Sequence, residues 1–421
     1  MRISRSQRDI TIRKQSGEAM KKVELLAPAG DLARAKTAVR YGADAVYIGG
    51  QLFSLRSRAS NFTMDDIREA CLFAKDYGCA IHVTVNMIPH EEDFEGLEEY
   101  LRQLEAFGVK AIIVASPAVM KLARRTAPSL EIHCSTQMSV TNSRAAEFMH
   151  EAFDVDRVVL ARECTMEEVK KITAASPVET EAFIHGGMCV NYSGRCTLSN
   201  RMTLRDANRG GCAQSCRWQY HLYENEREIS DSLLFTAGSK DLMAAYQIYD
   251  LMKAGVSSLK IEGRMKTEYY IASVVSAYRH LIDEIMAADG PLCEERMAWH
   301  TKEILRGENR ETCAGFYNGR AAEDSLIYHP NSDANVNHDF LATVKSFDRN
   351  TGTAVIETRN PIDTGMEIEV LSPGMNNRVF TLSRMKNEDG EFMEQSRRPM
   401  ALLKVPVPFE VREEDILRRN R

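Results

Sequence analysis

The most constraining feature of this sequence is a regular alternation of short β-branched segments with helical segments over roughly its first 290 residues. Eight strands are predicted, at 23–27, 45–49, 80–86, 111–115, 131–137, 157–162, 181–185 and 259–262. Helices are predicted between and after them, near 31–41, 64–77, 91–107, 119–126, 143–153, 166–175, 239–254 and 267–288. Eight β-then-α units are the number that closes a (β/α)₈ barrel of the TIM type, and a doubly wound open sheet is the alternative.

A second pattern begins near Phe340, where short alternating segments are separated by Asp-Thr-Gly, Ser-Pro-Gly and Glu-Asp-Gly turns. This pattern is typical of a small antiparallel β-barrel. The predicted fold class is therefore α/β, a TIM-type barrel followed by a small C-terminal antiparallel β-barrel. The predicted division is a basic, disordered extension at 1–22, the catalytic barrel at 23–290, a helical or linker segment at 291–337 and the β-barrel accessory domain at 338–421.

Charge and hydropathy exclude several classes of protein. The formal net charge is −6, so any polyanionic partner must bind a local patch rather than a generally basic surface. No apolar segment is long enough to cross a bilayer, and the first residues lack the pattern of a secretory signal, which predicts a cytoplasmic protein with no membrane partner. Met20 is an alternative start, because the preceding segment is rich in arginine and poor in acidic residues.

Four of the ten cysteines are concentrated in the longest interruption of the barrel pattern, after the seventh strand: Cys189, Cys196, Cys212 and Cys216. Such a loop leaves the end of the barrel at which TIM-barrel active sites are found. Four thiolates in a reducing compartment repel one another unless a cation holds them, so we expect a metal centre. Only Cys212 and Cys216 have the close spacing of a zinc knuckle; the wide first spacing favours an iron–sulfur cluster, with structural zinc as the alternative.

Two further features surround these cysteines. Glycines beside them permit tight wrapping of the backbone: Gly186, Gly187, Gly194, Gly210 and Gly211. The same stretch holds five arginines against one acidic residue, Asp206: Arg195, Arg201, Arg205, Arg209 and Arg217. They are either solvated loop charges and hydrogen-bond donors to a cluster, or a rim that binds phosphates, with Arg195 and Arg201 as the substrate-binding candidates.

Polar side chains also lie at the predicted carboxyl ends of the strands, where an apolar barrel core would place valine or leucine. Residues two apart share a face, which groups His185 with Glu181 and Lys260 with Glu262 and Arg264. The candidate catalytic residues are His185, Lys260 and Glu262. The candidate substrate-binding residues are Asn86, Gln137, Arg162 and Arg264, of which the two arginines could clamp a carboxylate bidentately. The alternative is a hydrogen-bonded polar layer that supports the fold.

A hydrolase is a further alternative, in which His185 would serve as the base for Cys189. The sequence contains no Gly-x-Ser-x-Gly or His-Glu-x-x-His motif, and this alternative leaves the other three thiols without a role. A noncatalytic RNA-binding protein would leave the polar barrel mouth unexplained.

Several segments resemble the landmarks of peptidase family U32 over roughly 22–320. The signature-like segment is Glu181-Ala-Phe-Ile-His-Gly-Gly-Met-Cys-Val-Asn-Tyr-Ser-Gly-Arg-Cys-Thr-Leu-Ser199. The others are Leu25-Leu-Ala-Pro-Ala-Gly30, Gly42-Ala-Asp-Ala-Val-Tyr-Ile-Gly49 and Lys260-Ile-Glu-Gly-Arg-Met-Lys266. The C-terminal β-domain is similar to the accessory domain of that family.

This resemblance implies an oxygen-independent hydroxylase that carries a 4Fe-4S cluster, with the four loop cysteines at the ligand positions. One barrel plus one short β-domain looks most like the branch that hydroxylates the wobble uridine of tRNA with prephenate as co-substrate. The implied partners are tRNA and a small dicarboxylate, and the resemblance leaves open a paralogous subunit or a homo-oligomer. A hydroxylase of another RNA or of a quinone precursor is the alternative, followed by a collagenase-like peptidase.

Overall fold

The computed structural model describes residues 20–55, 61–230, 234–320, 325–326 and 338–421. Residues 1–19 of the predicted basic extension lie outside the described residues. So do residues 321–324 and 327–337 of the predicted helical or linker segment. Within the described part, no helix is long and apolar enough to span a membrane.

The alternating segments form a closed parallel barrel, which confirms the predicted fold class. With strands numbered along the chain, its staves are Glu24–Pro28 (β1), Ala45–Gly49 (β2), Ala80–Val85 (β3), Ala111–Val114 (β4), Glu131–Cys134 (β5), Arg157–Val159 (β6), Glu179–Gly186 (β7) and Ser258–Ile261 (β11). Each strand pairs with the next, and β11 pairs with both β7 and β1, so the ring has no open edge. The open-sheet alternative is therefore wrong.

Helices pack around this ring. They are Leu32–Arg40 (α1), Met64–Asp76 (α2), Leu97–Ala106 (α3), Pro117–Thr126 (α4), Ser143–Phe153 (α5), Met166–Ala175 (α6), Leu198–Thr203 (α7), Ile248–Lys253 (α8), Glu268–Ala288 (α9) and Glu294–Leu305 (α10). Thr165 caps α6 with the reciprocal Glu168 bond that its sequence predicts. The helix predicted at 239–254 is wrong in its first half, because Asp241–Met243 (β10) pairs with β7 before α8 begins.

The connection from β7 to β10 is the long cysteine-bearing loop. It contains α7 and a short hairpin formed by Tyr223–Glu224 (β8) and Arg227–Glu228 (β9). At its far end, β10 also pairs with Thr312–Cys313 (β12), which follows α10. This loop is therefore attached at both ends to β7, the barrel strand that it leaves.

The C-terminal domain has its own hydrophobic core under an eight-stranded antiparallel sheet. The strands are Phe340–Asp348 (β13), Thr353–Thr358 (β14), Ile362–Asp363 (β15), Glu367–Leu371 (β16), Arg378–Thr381 (β17), Met385–Lys386 (β18), Phe392–Met393 (β19), Gln395–Ser396 (β20), Leu402–Pro406 (β21) and Ile416–Arg419 (β22). The short strands β15 and β20 pair separately with each other, and the order of the main sheet runs from β17 to β19 as a half-barrel.

A buried ion-pair network joins the two domains. Arg418 on β22 is 1% exposed and contacts Glu303 on α10 at 2.7 Å and Glu369 on β16 at 2.9 Å. Arg306, just after α10, contacts the same Glu369 at 2.7 Å. Nearby, the rings of Tyr269 and Phe340 stack with centroids 5.2 Å apart. Helix α10 therefore supports the C-terminal domain.

Candidate functional site at the barrel mouth

The cysteine loop lies across the carboxyl ends of the barrel strands and bonds to the loops that leave three of them. The amide of Ile88, after β3, donates to the carbonyl of Asn208 at 3.1 Å. The hydroxyl of Ser139, after β5, donates to the carbonyl of Ser193 at 2.5 Å. The Ser193 amide in turn donates to Glu163, after β6, at 2.9 Å. The loop thus covers the barrel mouth, the usual location of TIM-barrel active sites.

Gly194 allows the closest of these approaches. Its φ is +74°, and a Cβ atom at this position would lie 2.0 Å from the carbonyl oxygen of Gln137. That carbonyl belongs to the backbone and has little freedom to move away. A side chain at residue 194 would therefore lift the cysteine loop off the barrel mouth.

We expect Gly194→Ala to lower the rate of the reaction catalysed at this mouth by about tenfold or more, because the displaced loop carries Cys189 and Cys196 out of position. This corresponds to an activation free energy higher by at least ~1.4 kcal/mol. Gly96→Ala is a matched control: Gly96 has the same φ of +74° but nothing within 4 Å of the position of its Cβ. Backbone strain is thus common to both variants, and close approach distinguishes them. Equal activity of the two variants, with circular dichroism confirming that both are folded, would contradict this account of the loop.

The four cysteines of the loop act on one another electrostatically. Burial raises the pKa of the Cys216 thiol, and the other three thiols raise it further against the opposing charge of Arg217. Burial also raises the pKa of the Cys189 thiol, although this residue is solvent-accessible.

The spread of these thiols bears on which metal centre they fit. Among the described residues, the one group of three ligand atoms within 4.8 Å of one another is His280, Glu284 and His300, away from this loop. Three of the cysteine sulfurs therefore do not come that close together. Zinc and an iron–sulfur cluster can each be held by four cysteine sulfurs, so the choice between them stays a prediction.

Arg162 and Glu262 lie at the start of the cysteine loop, and their charges act in opposite directions on the pKa of the Cys189 thiol. The Arg162 guanidinium stacks over the Phe183 ring at 3.9 Å and donates to the Gly187 carbonyl at 2.9 Å. It lies 3.9 Å from the Glu262 carboxylate. The start of the loop thus combines a guanidinium and a carboxylate, which can bind an anion and hold or accept a proton.

Arg264 lies at another part of the mouth, where it makes more hydrogen bonds to the protein than Arg162 does. It is 6% exposed and donates to the Leu55 carbonyl at 3.3 Å and to Thr84 and Asn61, each at 3.2 Å. Gly49 makes room for it, because a Cβ at this position would lie 2.2 Å from its Nη2. The two predicted clamps therefore differ: Arg264 is built into the barrel, whereas Arg162 contacts Gly187 at the start of the cysteine loop.

The family models identify the chain. The model described as peptidase family U32 matches residues 30–326, and the model described as peptidase family U32 C-terminal domain matches residues 336–418. The chain belongs to peptidase family U32.

Three relatives show how far the similarity extends. A protein named tRNA hydroxylation protein P1, from Bacillus subtilis, is 40% identical over 95% of this U32 chain and 96% of its own length. A protein named tRNA hydroxylation protein P, from Escherichia coli, is 30% identical over 92% and 94% of the two chains. The Escherichia coli protein named 23S rRNA 5-hydroxycytidine C2501 synthase is 38% identical, over 64% of this chain and 41% of that protein.

Below the mouth of this U32 barrel, Lys260 belongs to a buried ion-pair network. Its ammonium group lies 2.8 Å from Glu181, whose other oxygen is 3.2 Å from Arg157. It also lies 4.5 Å from the centre of the Tyr47 ring. Lys260 faces the barrel interior, as its strand parity predicts, and its catalytic role stays a prediction. Burial raises the pKa of Glu181, but Lys260 and Arg157 outweigh burial and bring it down to about 2.

We expect Glu181→Gln to lower the free energy of unfolding by about 3–5 kcal/mol at neutral pH, because Lys260 would lose its carboxylate partner and keep a buried charge, whereas Arg157 would retain Glu24 and Glu179. The folded-state pKa of Glu181 lies below its ordinary value of 4.5, so its stabilisation is complete above that pH and is lost as the pH falls towards 2. Urea denaturation across this range should therefore show the wild type and variant converging in acid. The exposed Glu167→Gln is the control, and a gap that persists in acid would refute the assignment.

His185 departs from the prediction. Its ring nitrogens lie 2.6 Å from Glu308 and 3.2 Å from Tyr278 of α9, so its side chain packs against the helical layer outside the barrel. The register between β7 and β11 shifts between Lys260 and Ile261, which breaks the two-residue alternation. The expectation that His185 shares the inner face with Glu181 is therefore wrong. With both nitrogens occupied there, His185 is not placed as a base for Cys189.

The other predicted residues fall into two groups. Asn86 and Gln137 bond to each other at 2.9 Å beside the docked loop. Arg195 and Arg201 are exposed on the cysteine loop. Two neighbouring arginines instead anchor that loop: Arg209 donates to the Ile88 carbonyl at 2.7 Å, and Arg217 lies 3.1 Å from the buried Asp241.

Sequence reasoning missed two contributors to the site. Tyr47 donates its hydroxyl to Glu262 at 3.0 Å, and the Glu163 carboxylate holds the cysteine loop through Ser193. Tyr47 shares its strand face with Gly49, and the same parity argument could have found it. No pattern in the sequence indicates the role of Glu163, because its partner lies 30 residues further along the chain.

Proposed function

We propose that this chain is an RNA hydroxylase that converts the wobble uridine of tRNA to 5-hydroxyuridine, without molecular oxygen and with prephenate as co-substrate. The observation that carries the proposal is the position of the cysteine loop, which lies across the barrel mouth, where Arg162 contacts both Gly187 of the loop and Glu262. A metal centre on this loop would lie beside groups that can bind a small anion.

The choice of tRNA rests on the extent of the similarity. The two relatives named for tRNA hydroxylation match this chain through both of its domains. The relative named for rRNA hydroxycytidine synthesis matches 64% of this chain and extends well beyond it. Hydroxylation of an rRNA base is therefore the second candidate.

The four loop cysteines fit a 4Fe-4S cluster by the chemistry of their donor set, and the wide spacing of Cys189 and Cys196 along the chain favours a cluster over zinc. When bound, such a cluster supplies an iron site for electron transfer or for Lewis-acid chemistry. Asn191 donates to the sulfur of Cys196 at 3.2 Å, a contact of the kind that tunes a cluster.

The remaining residues bind and orient the substrates. Arg162 offers a guanidinium to one carboxylate of prephenate, and Arg264 offers a second positive charge from the other side of the mouth. Glu262, held by the Tyr47 hydroxyl, can accept a proton there. The exposed Arg195 and Arg201 can contact RNA phosphates, and a base extruded from a loop can enter the mouth, which a paired base cannot reach.

Nucleoside mass spectrometry tests the proposal directly. The tRNA and rRNA of a strain lacking this gene would be compared with those of the same strain carrying the gene on a plasmid. We expect 5-hydroxyuridine and its derivatives to disappear from tRNA and to return with the gene. Loss of a hydroxylated cytidine from rRNA would instead establish the second candidate, and unchanged nucleosides in both fractions would refute RNA hydroxylation.

A further inference from the structure

Three potential metal ligands meet between α9 and α10, on the outer helical layer and away from the cysteine loop. His280 and Glu284 lie one turn apart on α9, and His300 faces them from α10. His280 Nδ1 is 3.2 Å from Glu284 Oε1, and His300 Nε2 is 3.1 Å from Glu284 Oε2. One ligand atom from each residue falls within 4.8 Å of the other two.

We propose that His280, Glu284 and His300 form a second metal site, which binds a divalent transition metal such as Zn²⁺. Two imidazole nitrogens and one carboxylate oxygen are a donor set that zinc takes, with water in the fourth position. Bonds of about 2.0–2.1 Å in a tetrahedral site separate neighbouring ligand atoms by about 3.3 Å. The observed separations of 3.2 and 3.1 Å are close to that value, although each runs to a different oxygen of Glu284, so the carboxylate would turn to offer one oxygen to the ion.

The surroundings favour a ligand over a purely structural contact. His300 is fully buried, and the buried Nδ1 atom of His280 lies 3.2 Å from Glu284 Oε1 in a geometry that makes no hydrogen bond. Burying polar atoms without partners costs free energy, which coordination of a metal by His280 Nδ1 would offset. The Trp299 ring packs edge-on against His300 at 4.9 Å and restrains its orientation. The side chains of His280 and Glu284 are 33% and 26% exposed, which leaves a path for the ion and for water.

Arg296 is the group with which a metal must compete. Its guanidinium grips both oxygens of Glu284, with Nε at 3.1 Å from Oε2 and Nη2 bonded to Oε1. This side chain is 41% exposed and lies over the Trp299 ring, so it can withdraw into solvent. The Arg296 guanidinium therefore supplies the positive charge that a metal ion would otherwise supply to Glu284. Its presence lowers the affinity of the site for the metal.

Metal binding here would act on the contact between the domains. Helix α10 carries His300 and, one turn later, Glu303, which pairs with Arg418 of the C-terminal domain. A metal bound by residues of both α9 and α10 would hold α10 in the position from which Glu303 contacts Arg418. We therefore expect added Zn²⁺ to raise the melting temperature of the full chain, since a ligand of the folded state stabilises that state.

The test is the number of zinc ions bound per full-length chain, measured by equilibrium dialysis and elemental analysis. Any zinc on the cysteine loop is common to all variants, so it cancels when they are compared. His280→Ala and His300→Ala should each bind one zinc fewer than the wild type, while His90→Ala, which alters an exposed histidine elsewhere, should bind as many. Circular dichroism checks that each variant is folded. If His300→Ala does not fold, the zinc stoichiometry of His280→Ala decides the test.

Arg296→Gln separates a metal site from a purely structural cluster. If Glu284 serves as a metal ligand, removing the competing guanidinium should tighten zinc binding by about tenfold, about 1.4 kcal/mol. If the cluster serves only to join the helices, the variant should be less stable and gain no affinity. Equal zinc stoichiometry in the wild type and both histidine variants, or weaker binding by Arg296→Gln, would overturn the proposal.

Discussion

Replacing Cys189, Cys196, Cys212 or Cys216 by alanine should abolish RNA hydroxylation and remove the brown colour of anaerobically purified protein. The physical reason is that in the proposed function each thiolate would be one of four ligands of the cluster, and a cluster that loses a ligand is not held. Visible absorption spectra, iron analysis and nucleoside mass spectrometry measure the effect.

The control for this series is Cys293→Ala, because Cys293 is an exposed cysteine outside the loop, at the start of α10. It should keep both colour and activity. Asn191→Ala should give an intermediate result, a loss of activity of roughly 10–100-fold. It removes a hydrogen bond to the Cys196 sulfur but leaves all four cysteines in place. Colourless wild-type protein with one tightly bound zinc on these cysteines would eliminate the cluster from the proposed function.

Arg162→Ala should give folded, brown protein that is inactive at ordinary concentrations of the dicarboxylate. Losing one charged clamp costs on the order of 2–5 kcal/mol of binding, so KM for prephenate should rise roughly 30-fold or more. Excess prephenate should restore part of the activity. Steady-state kinetics on tRNA with added prephenate measure the change, with KM and kcat determined separately.

Arg144→Ala is the matched control for Arg162→Ala, because Arg144 on α5 is 87% exposed and contacts only the neighbouring Glu147 among the pairs described. It should leave KM and kcat unchanged. Arg264→Ala should also reduce activity, but it removes the hydrogen bonds of this buried side chain to Thr84 and Asn61 and so affects stability too. An unchanged KM for prephenate in Arg162→Ala would place the small-molecule site elsewhere.

The barrel and the place of the cysteine loop could be predicted because both depend on local patterns. Eight β-then-α units close a ring whatever their exact side chains. All eight predicted strands overlap the observed strands of the barrel. The loop after β7 was recognisable because its cysteines, glycines and arginines interrupt that pattern. The helix predicted at 239–254 failed where β10 gains hydrogen bonds from β7, a long-range pairing that helical periodicity does not report.

The sequence by itself determined the closed barrel, the separate β-domain and the position of the four cysteines at the barrel mouth, because periodicity and spacing express backbone geometry. Only the tertiary structure decided which side chains meet there. A register shift beside β11 turned His185 towards α9, and the path of the loop brought Gly194 onto Gln137 and Arg162 next to Glu262. The meeting of His280 and Glu284 with His300 depends in the same way on how α10 packs against α9. These contacts join residues from separate elements, and their distances are set by packing, which no local pattern encodes.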